Sequence, residues 1–187
     1  LHMRGRFNRV FDVVSCQLQS ELSNRIVHAV RQFASRAGLS VYDLRKHEGL
    51  LRFLVVREGK KSGDIMVNLV VSDYPCDAVD RLAEGVLEEI PEITTVIVTL
   101  HQGKAQVATG QEEFVLKGSG KILEQCAGIE FEISAQSFFQ TNTLQAERLY
   151  KIVAELAGDL RGRKVLDLYC GTGGIGLHLA GGAQAVL

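Results

Sequence analysis

Apolar positions recur at helical spacing in three stretches of the chain. Leu18, Leu22, Ile26, Val30, Phe33 and Ala37 mark one face, and Gly38 stands where a left-handed C-terminal cap belongs, so a helix is expected over 18–37. A second is expected over 76–90, with Val79, Leu82, Val86 and Ile90 as its buried stripe, Pro75 in its first turn and Pro91 at its end. The third spans 143–157, with Leu144, Leu149, Ile152, Val153 and Leu156 facing inward; Asn142, three positions before Gln145, resembles a capping box. Strands are expected at 50–58 and 64–72, where Ile65, Val67, Leu69 and Val71 alternate, and Gly59-Lys60-Lys61-Ser62-Gly63 suits the hairpin loop between them. Residues 93–100 are β-branched and strand-like, and short strands are expected at 104–108, 112–117 and 128–133. Residues 10–133 read as an α+β unit rather than a βαβ repeat.

Near residue 140 the pattern changes. After the third helix come a turn at Gly158 to Gly162, a short buried strand at 164–168, a glycine-rich turn, a short helix from about 174 to 180 and a new apolar run from Ala183. That is the first βα unit of a doubly wound sheet, whose parallel strands need further neighbours and helices on both faces. The expectation is therefore a piece of a longer protein. An α+β central domain occupies 4–130, and an incomplete α/β, Rossmann-like domain begins at 131 and runs to 187.

Composition narrows the class. Of 187 residues, 46% are hydrophobic and 23% charged, which suits a globular chain and excludes a disordered one. No apolar run approaches the roughly 20 residues of a membrane span, and no secretory leader is evident, so a cytoplasmic protein without a membrane partner is expected. Cys16, Cys76, Cys126 and Cys170 share no close spacing, which argues against a local zinc site and for reduced thiols. The five histidines are scattered, without ligand spacing. No protein partner is evident. The net charge of −1 hides an asymmetry: residues 1–61 hold 12 basic and 5 acidic side chains. Such an excess fits either a polyanion-binding face or a solvated Arg-rich surface.

The sharpest chemistry lies in Val165-Leu166-Asp167-Leu168-Tyr169-Cys170-Gly171-Thr172-Gly173-Gly174-Ile175-Gly176. Gly171, Gly173 and Gly176 fit GxGxxG between an expected strand and helix, the context that gives this motif meaning. Glycines there allow a tight turn and close approach of main-chain N–H groups to a ligand. A dinucleotide pyrophosphate and the amino-acid end of S-adenosylmethionine compete for such a turn, beside the plain reading of a connecting loop. An acidic residue late in the strand, Asp167, favours S-adenosylmethionine, either by supporting the loop or by acting on the cationic methionine part through water. Cys170 is read as a small side chain packed beneath the loop rather than a nucleophile.

Phe131-Glu132-Ile133-Ser134-Ala135-Gln136-Ser137-Phe138-Phe139-Gln140-Thr141-Asn142, followed by Asp167-Leu168-Tyr169-Cys170-Gly171-Thr172-Gly173, resembles the RNA (uracil-5-)-methyltransferases, above all the bacterial enzymes that make 5-methyluridine in 23S ribosomal RNA. Gln140 and Tyr169 stand 29 positions apart, the family's separation. The resemblance implies that Gln140 and Tyr169 contact S-adenosylmethionine, beside the turn at Gly171 and Gly173 and the Asp167 carboxylate that the motif itself points to. Gly174 falls where some members carry an Asn contact, so only its main chain could serve. Cys16 falls near the last of four cysteines that hold a [4Fe–4S] cluster in some members; here it is read as a plain cysteine, and any iron–sulfur cluster would belong to the longer protein. The family's cysteine adds at C6 of uracil, turning C5 into a nucleophile, and its glutamate removes the C5 proton. Both would lie beyond residue 187, so no catalytic residue is assigned and this stretch alone is expected to be inactive. Residues of the central domain would help hold RNA, with the target uridine unstacked. Of Phe138 and Phe139, at least one is expected in the core. The rival readings are an RNA-binding module without catalysis and a nicotinamide-dependent oxidoreductase using the glycine turn.

Overall fold

A computed structural model describes residues 2–10 and 12–187. The amphipathic segments become helices where capping and burial coincide. Helix α1, Glu21–Arg36, starts at Ser20, whose hydroxyl accepts the Ser23 N–H at 2.9 Å. It buries Ile26, Ala29, Val30 and Ala34, and Gly38 is left-handed beyond its end. Leu18 lies outside the helix and is 98% exposed, because the serine cap sets the first turn three residues later than periodicity suggests. Helix α2, Asp77–Glu89, is capped by Cys76 without a side-chain bond and buries Val79, Leu82, Ala83 and Val86.

Strands β1 (His2–Met3) and β2 (Arg6–Val10) form an antiparallel pair. A four-stranded sheet follows, in the order β3 (Leu51–Glu58), β4 (Ile65–Val71), β5 (Thr95–Leu100), β6 (Glu112–Lys117). β4 and β5 are parallel, from Met66 opposite Thr95 to Val71 opposite Leu100, whereas β5 and β6 are antiparallel. With α2 as the crossover, β4–α2–β5 is a single βαβ unit within a sheet that also holds an antiparallel pair. The two central strands are buried along their whole length rather than on alternate residues, as strands covered on both faces are. The expected strand at 104–108 is a loop. The Arg52 guanidinium holds the loop from 101 to 105, donating to His101 O (2.9 Å), Gly103 O (2.5 Å) and Ala105 O (3.0 Å) while lying 3.9 Å over the Tyr42 ring.

The chain divides into two compact units. One runs to Arg57 and resumes over Ile65–Gly120; the other joins Glu58–Asp64 to Lys121–Leu187. The fold as a whole is mixed α/β. In the second unit β7 (Lys121–Cys126) and β8 (Ile129–Ser134) form an antiparallel hairpin, followed by α3 (Thr143–Ala157), β9 (Lys164–Val165), α4 (Gly174–Ala180) and β10 (Ala185–Val186). β9 and β10 pair in parallel. α3 has the expected ends and the Asn142 cap, which accepts the Gln145 N–H at 3.1 Å. Its buried face is different: Thr143, Ala146 and Tyr150 are inside, whereas Leu144, Leu149, Ile152 and Leu156 are exposed, Leu156 at 83%. The helix packs through its small residues and one tyrosine, and its leucine-rich stripe lies uncovered among the described residues.

Loop Glu58–Asp64 is laced to β7. Ser62 Oγ donates to Leu123 O at 2.6 Å, and Leu123 N donates to Asp64 Oδ2 at 2.8 Å. A Cβ at Gly59 would collide with Leu123 O and Ser62 Oγ. Gly59→Ala is therefore expected to destabilise the second unit by about 2 kcal/mol, the scale of an overpacked contact. Chemical denaturation checks it, and a stability equal to the native chain's would show that the lacing yields freely.

Candidate functional site

Two loops of the second unit carry the residues singled out by sequence. The first follows β9. Asp167 N donates to Leu187 O at 2.9 Å, and Asp167 Oδ2 accepts the Gly176 N–H of α4 at 2.8 Å. The carboxylate thus ties the strand end to the helix, and of the two roles considered for it the loop-supporting one is built into the fold. Tyr169 follows with φ 60 and a fully exposed ring. A left-handed tyrosine costs on the order of 1–3 kcal/mol and persists where its surroundings hold it; such residues gather at ligand-binding sites.

The glycines of the turn serve two different ends. Gly171 (φ 58) and Gly173 (φ 76) take left-handed conformations that the bend demands. Gly174 and Gly176 are needed for close packing. A Cβ at Gly174 would stand 2.5 Å from Tyr150 Oη, and one at Gly176 would stand 2.7 Å from Asp167 Oδ2 and 3.1 Å from Val186 Cγ1. Burial raises the pKa of the Tyr150 phenol, keeping it a neutral packing surface for α4.

The second loop joins β8 to α3. Phe139 is buried, with its ring 5.3 Å from that of Phe131 on β8. Phe138 is exposed and turns to the glycine bend, its Cδ1 lying 3.8 Å from where a Cβ on Gly171 would be. The expectation that one of the two phenylalanines enters the core holds. Gln140, exposed, sits two residues beyond Phe138. Cys170 is exposed rather than packed beneath the loop, and its thiol lies 3.8 Å from Gly171 O. The bend at Gly171 turns its side chain outward, which corrects the buried reading.

Sequence reasoning missed Glu124. It is 1% exposed on β7 and accepts four hydrogen bonds: from Lys60 N (2.7 Å) and Thr143 Oγ1 (2.8 Å) on Oε2, and from Lys61 N (3.1 Å) and Gln125 N (2.9 Å) on Oε1. Nearby, Glu147 of α3 pairs with Lys61 and accepts the Ala127 N–H at 2.7 Å; these contacts hold its carboxyl below the usual range, the lysine partner first. The available signal was a glutamate at an inward position between Ile122 and Cys126.

An open cleft of about 270 Å³, lined by residues that include Ala154, Leu160, His178 and Leu179, involves none of the predicted site residues. Two of the three arginines on α1 are paired with carboxylates. Arg25 pairs with Glu92 (3.0 Å) and Arg31 with Asp12 (2.5 Å), while Arg36 donates to Gln32 and lies over Phe33. The Cys16 main chain is bonded to Asn24 on both N and O, and among the described residues no three His, Cys, Asp or Glu side chains gather as a metal site. No described helix is long and apolar enough to cross a membrane.

No protein-family model matches the chain. It is 41% identical over 180 residues to an uncharacterized RNA methyltransferase of Chlorobaculum tepidum, covering 96% of this chain and 37% of that protein. It is 34% identical to another of Geobacter sulfurreducens, covering 98% and 37%. Among solved structures, it resembles the tRNA (uracil-54, C5)-methyltransferase of Pyrococcus abyssi in complex with S-adenosyl-L-homocysteine, with a TM-score of 0.76 and 26% identity over 98% of this chain and 44% of that one. The resemblance to RNA methyltransferases is thus borne out. The chain spans 37% of the length of these two curated relatives and 44% of the solved one.

Proposed function

We propose that the protein containing these residues transfers a methyl group from S-adenosylmethionine to C5 of a uridine in RNA, with ribosomal RNA as substrate. Residues 4–130 contact the RNA, and 131–187 open the Rossmann-like methyltransferase domain. One observation carries the reading: Phe138, two residues before Gln140 in the chain, meets the bend at Gly171, so the segment that holds one motif approaches the other. The solved relative with S-adenosyl-L-homocysteine bound supports the choice of ligand.

The residues fit that ligand. The left-handed turn at Gly171 and Gly173 exposes main-chain groups, Tyr169 offers an aromatic face, and Gln140 can both donate and accept hydrogen bonds. When bound, S-adenosylmethionine supplies an electrophilic methyl group. Within this stretch, Gln140, Tyr169, Gly171, Gly173 and the Gly174 main chain hold and orient it, and Asp167 keeps the turn in shape through Gly176. The nucleophile and the general base have no assigned position among the 187 residues.

Calorimetry of the full-length protein with S-adenosylhomocysteine tests this. Gln140→Ala is expected to weaken binding about tenfold, the worth of one hydrogen bond to a charged or strongly polar partner. Native affinity in that variant would remove the basis of the reading. Methylation of ribosomal RNA fragments but not tRNA is the expected substrate outcome; the reverse preference would replace ribosomal RNA with tRNA.

A further inference from the structure

Buried carboxylates in protein interiors are costly unless their oxygens are fully bonded. Glu124 meets that condition with four donors, one of which is distinctive. Thr143 is the first residue of α3 and is itself buried; its hydroxyl donates to Glu124 Oε2 at 2.8 Å. Four residues upstream, Phe139 is buried against Phe131. Gln140, Thr141 and Asn142 therefore form a three-residue bridge between two fixed points. The two anchors are four positions apart, a reach of at most about 14 Å, so displacement of either is felt at Gln140. Asn142 stiffens the bridge further by capping Gln145. The helix end is tied a second time, one turn on, where Glu147 bonds Lys61 and the Ala127 N–H.

We infer that Glu124 is a positioning residue for the cofactor site: through Thr143 it fixes the start of α3 and so sets where Gln140 stands relative to the glycine turn. This rests on the reading of Gln140 as a cofactor contact. The other three donors to Glu124 are main-chain N–H groups, which hold the carboxylate still so that the threonine has a fixed acceptor. A misplacement of an ångström at a binding group is enough to cost affinity out of proportion to its effect on folding.

Glu124 itself is a poor probe, because removing it leaves several buried donors unpaired and endangers the fold. Thr143→Val deletes only the hydroxyl at nearly constant volume, and Thr143→Ser restores the donor. In the full-length protein, calorimetry with S-adenosylhomocysteine is expected to show Thr143→Val weakened about fivefold and Thr143→Ser within about twofold of native. In a Gln140→Ala background, adding Thr143→Val is expected to change nothing more, since the group being positioned is gone. Equal weakening in both backgrounds would mark Thr143 as merely structural and overturn the proposal, as would native affinity in Thr143→Val when Gln140→Ala alone is impaired. Native affinity in Gln140→Ala would overturn the cofactor reading and this proposal with it.

Discussion

Glu124→Gln is expected to be the most destabilising conservative substitution in the second unit, lowering its unfolding free energy by about 3 kcal/mol. The native carboxylate presents acceptors on both oxygens, and both are used: Oε2 by Lys60 N and Thr143 Oγ1, Oε1 by Lys61 N and Gln125 N. A glutamine keeps one acceptor and turns an NH2 group toward main-chain donors that cannot rotate away. Each buried donor left unpaired costs about 1–3 kcal/mol, while the threonine hydroxyl can turn to accept and recover part of the loss. Hydrogen exchange followed by mass spectrometry is the suitable measurement, because it reads the affected segments directly. Faster exchange is expected in 58–64 and 121–134, where the carboxylate joins loop to strand. A loss below about 0.5 kcal/mol would mean that water or a shifted main chain satisfies the donors, and that Glu124 is not a hub.

The second large effect concerns the packing of α4. Gly174→Ala would place a Cβ 2.5 Å from Tyr150 Oη, 3.0 Å from Cζ and 3.2 Å from Cε2. Tyr150 is 6% exposed and cannot simply swing into solvent. Either the ring or the helix must shift, at a cost of about 2 kcal/mol. Since Gly173 and Gly174 open α4 directly after the bend, movement of the helix displaces the groups proposed to hold the cofactor. S-adenosylhomocysteine affinity is expected to fall by about tenfold or more. Gly181→Ala is the matched control: it lies in the same glycine-rich stretch, at φ −63, with nothing within 4 Å of its Cβ position. It is expected to be neutral or slightly stabilising, because alanine there only restricts the unfolded chain. Equal affinity loss in both variants would show that helix flexibility, not the contact with Tyr150, sets binding.

The uncovered stripe on α3, with Leu166, Leu168 and Leu177 also exposed, limits what periodicity can say. Amphipathic spacing located the helix to its end residues, and the Asn142 cap was legible from its neighbour three positions on. The choice of buried face was not. It depends on Ala146 and Tyr150 finding partners, and small residues carry little weight in a hydrophobic pattern.

What the sequence by itself determined is therefore local. The helices, most strand positions, the GxGxxG bend and the likeness of Phe138–Gln140 and Asp167–Gly173 to RNA methyltransferases follow from side-chain order over a few turns or from motif spacing. Tertiary structure alone decided the rest: the parallel pairing of β4 with β5, the loop that Arg52 holds where a strand was expected, the meeting of Phe138 with Gly171, and the glutamate at the centre of the second unit. Those features depend on groups tens of residues apart satisfying one another's hydrogen bonds and excluding one another's atoms. A buried Glu124 interrupts the apolar alternation that would have announced β7, and only the folded chain supplies the four donors that make its burial tolerable.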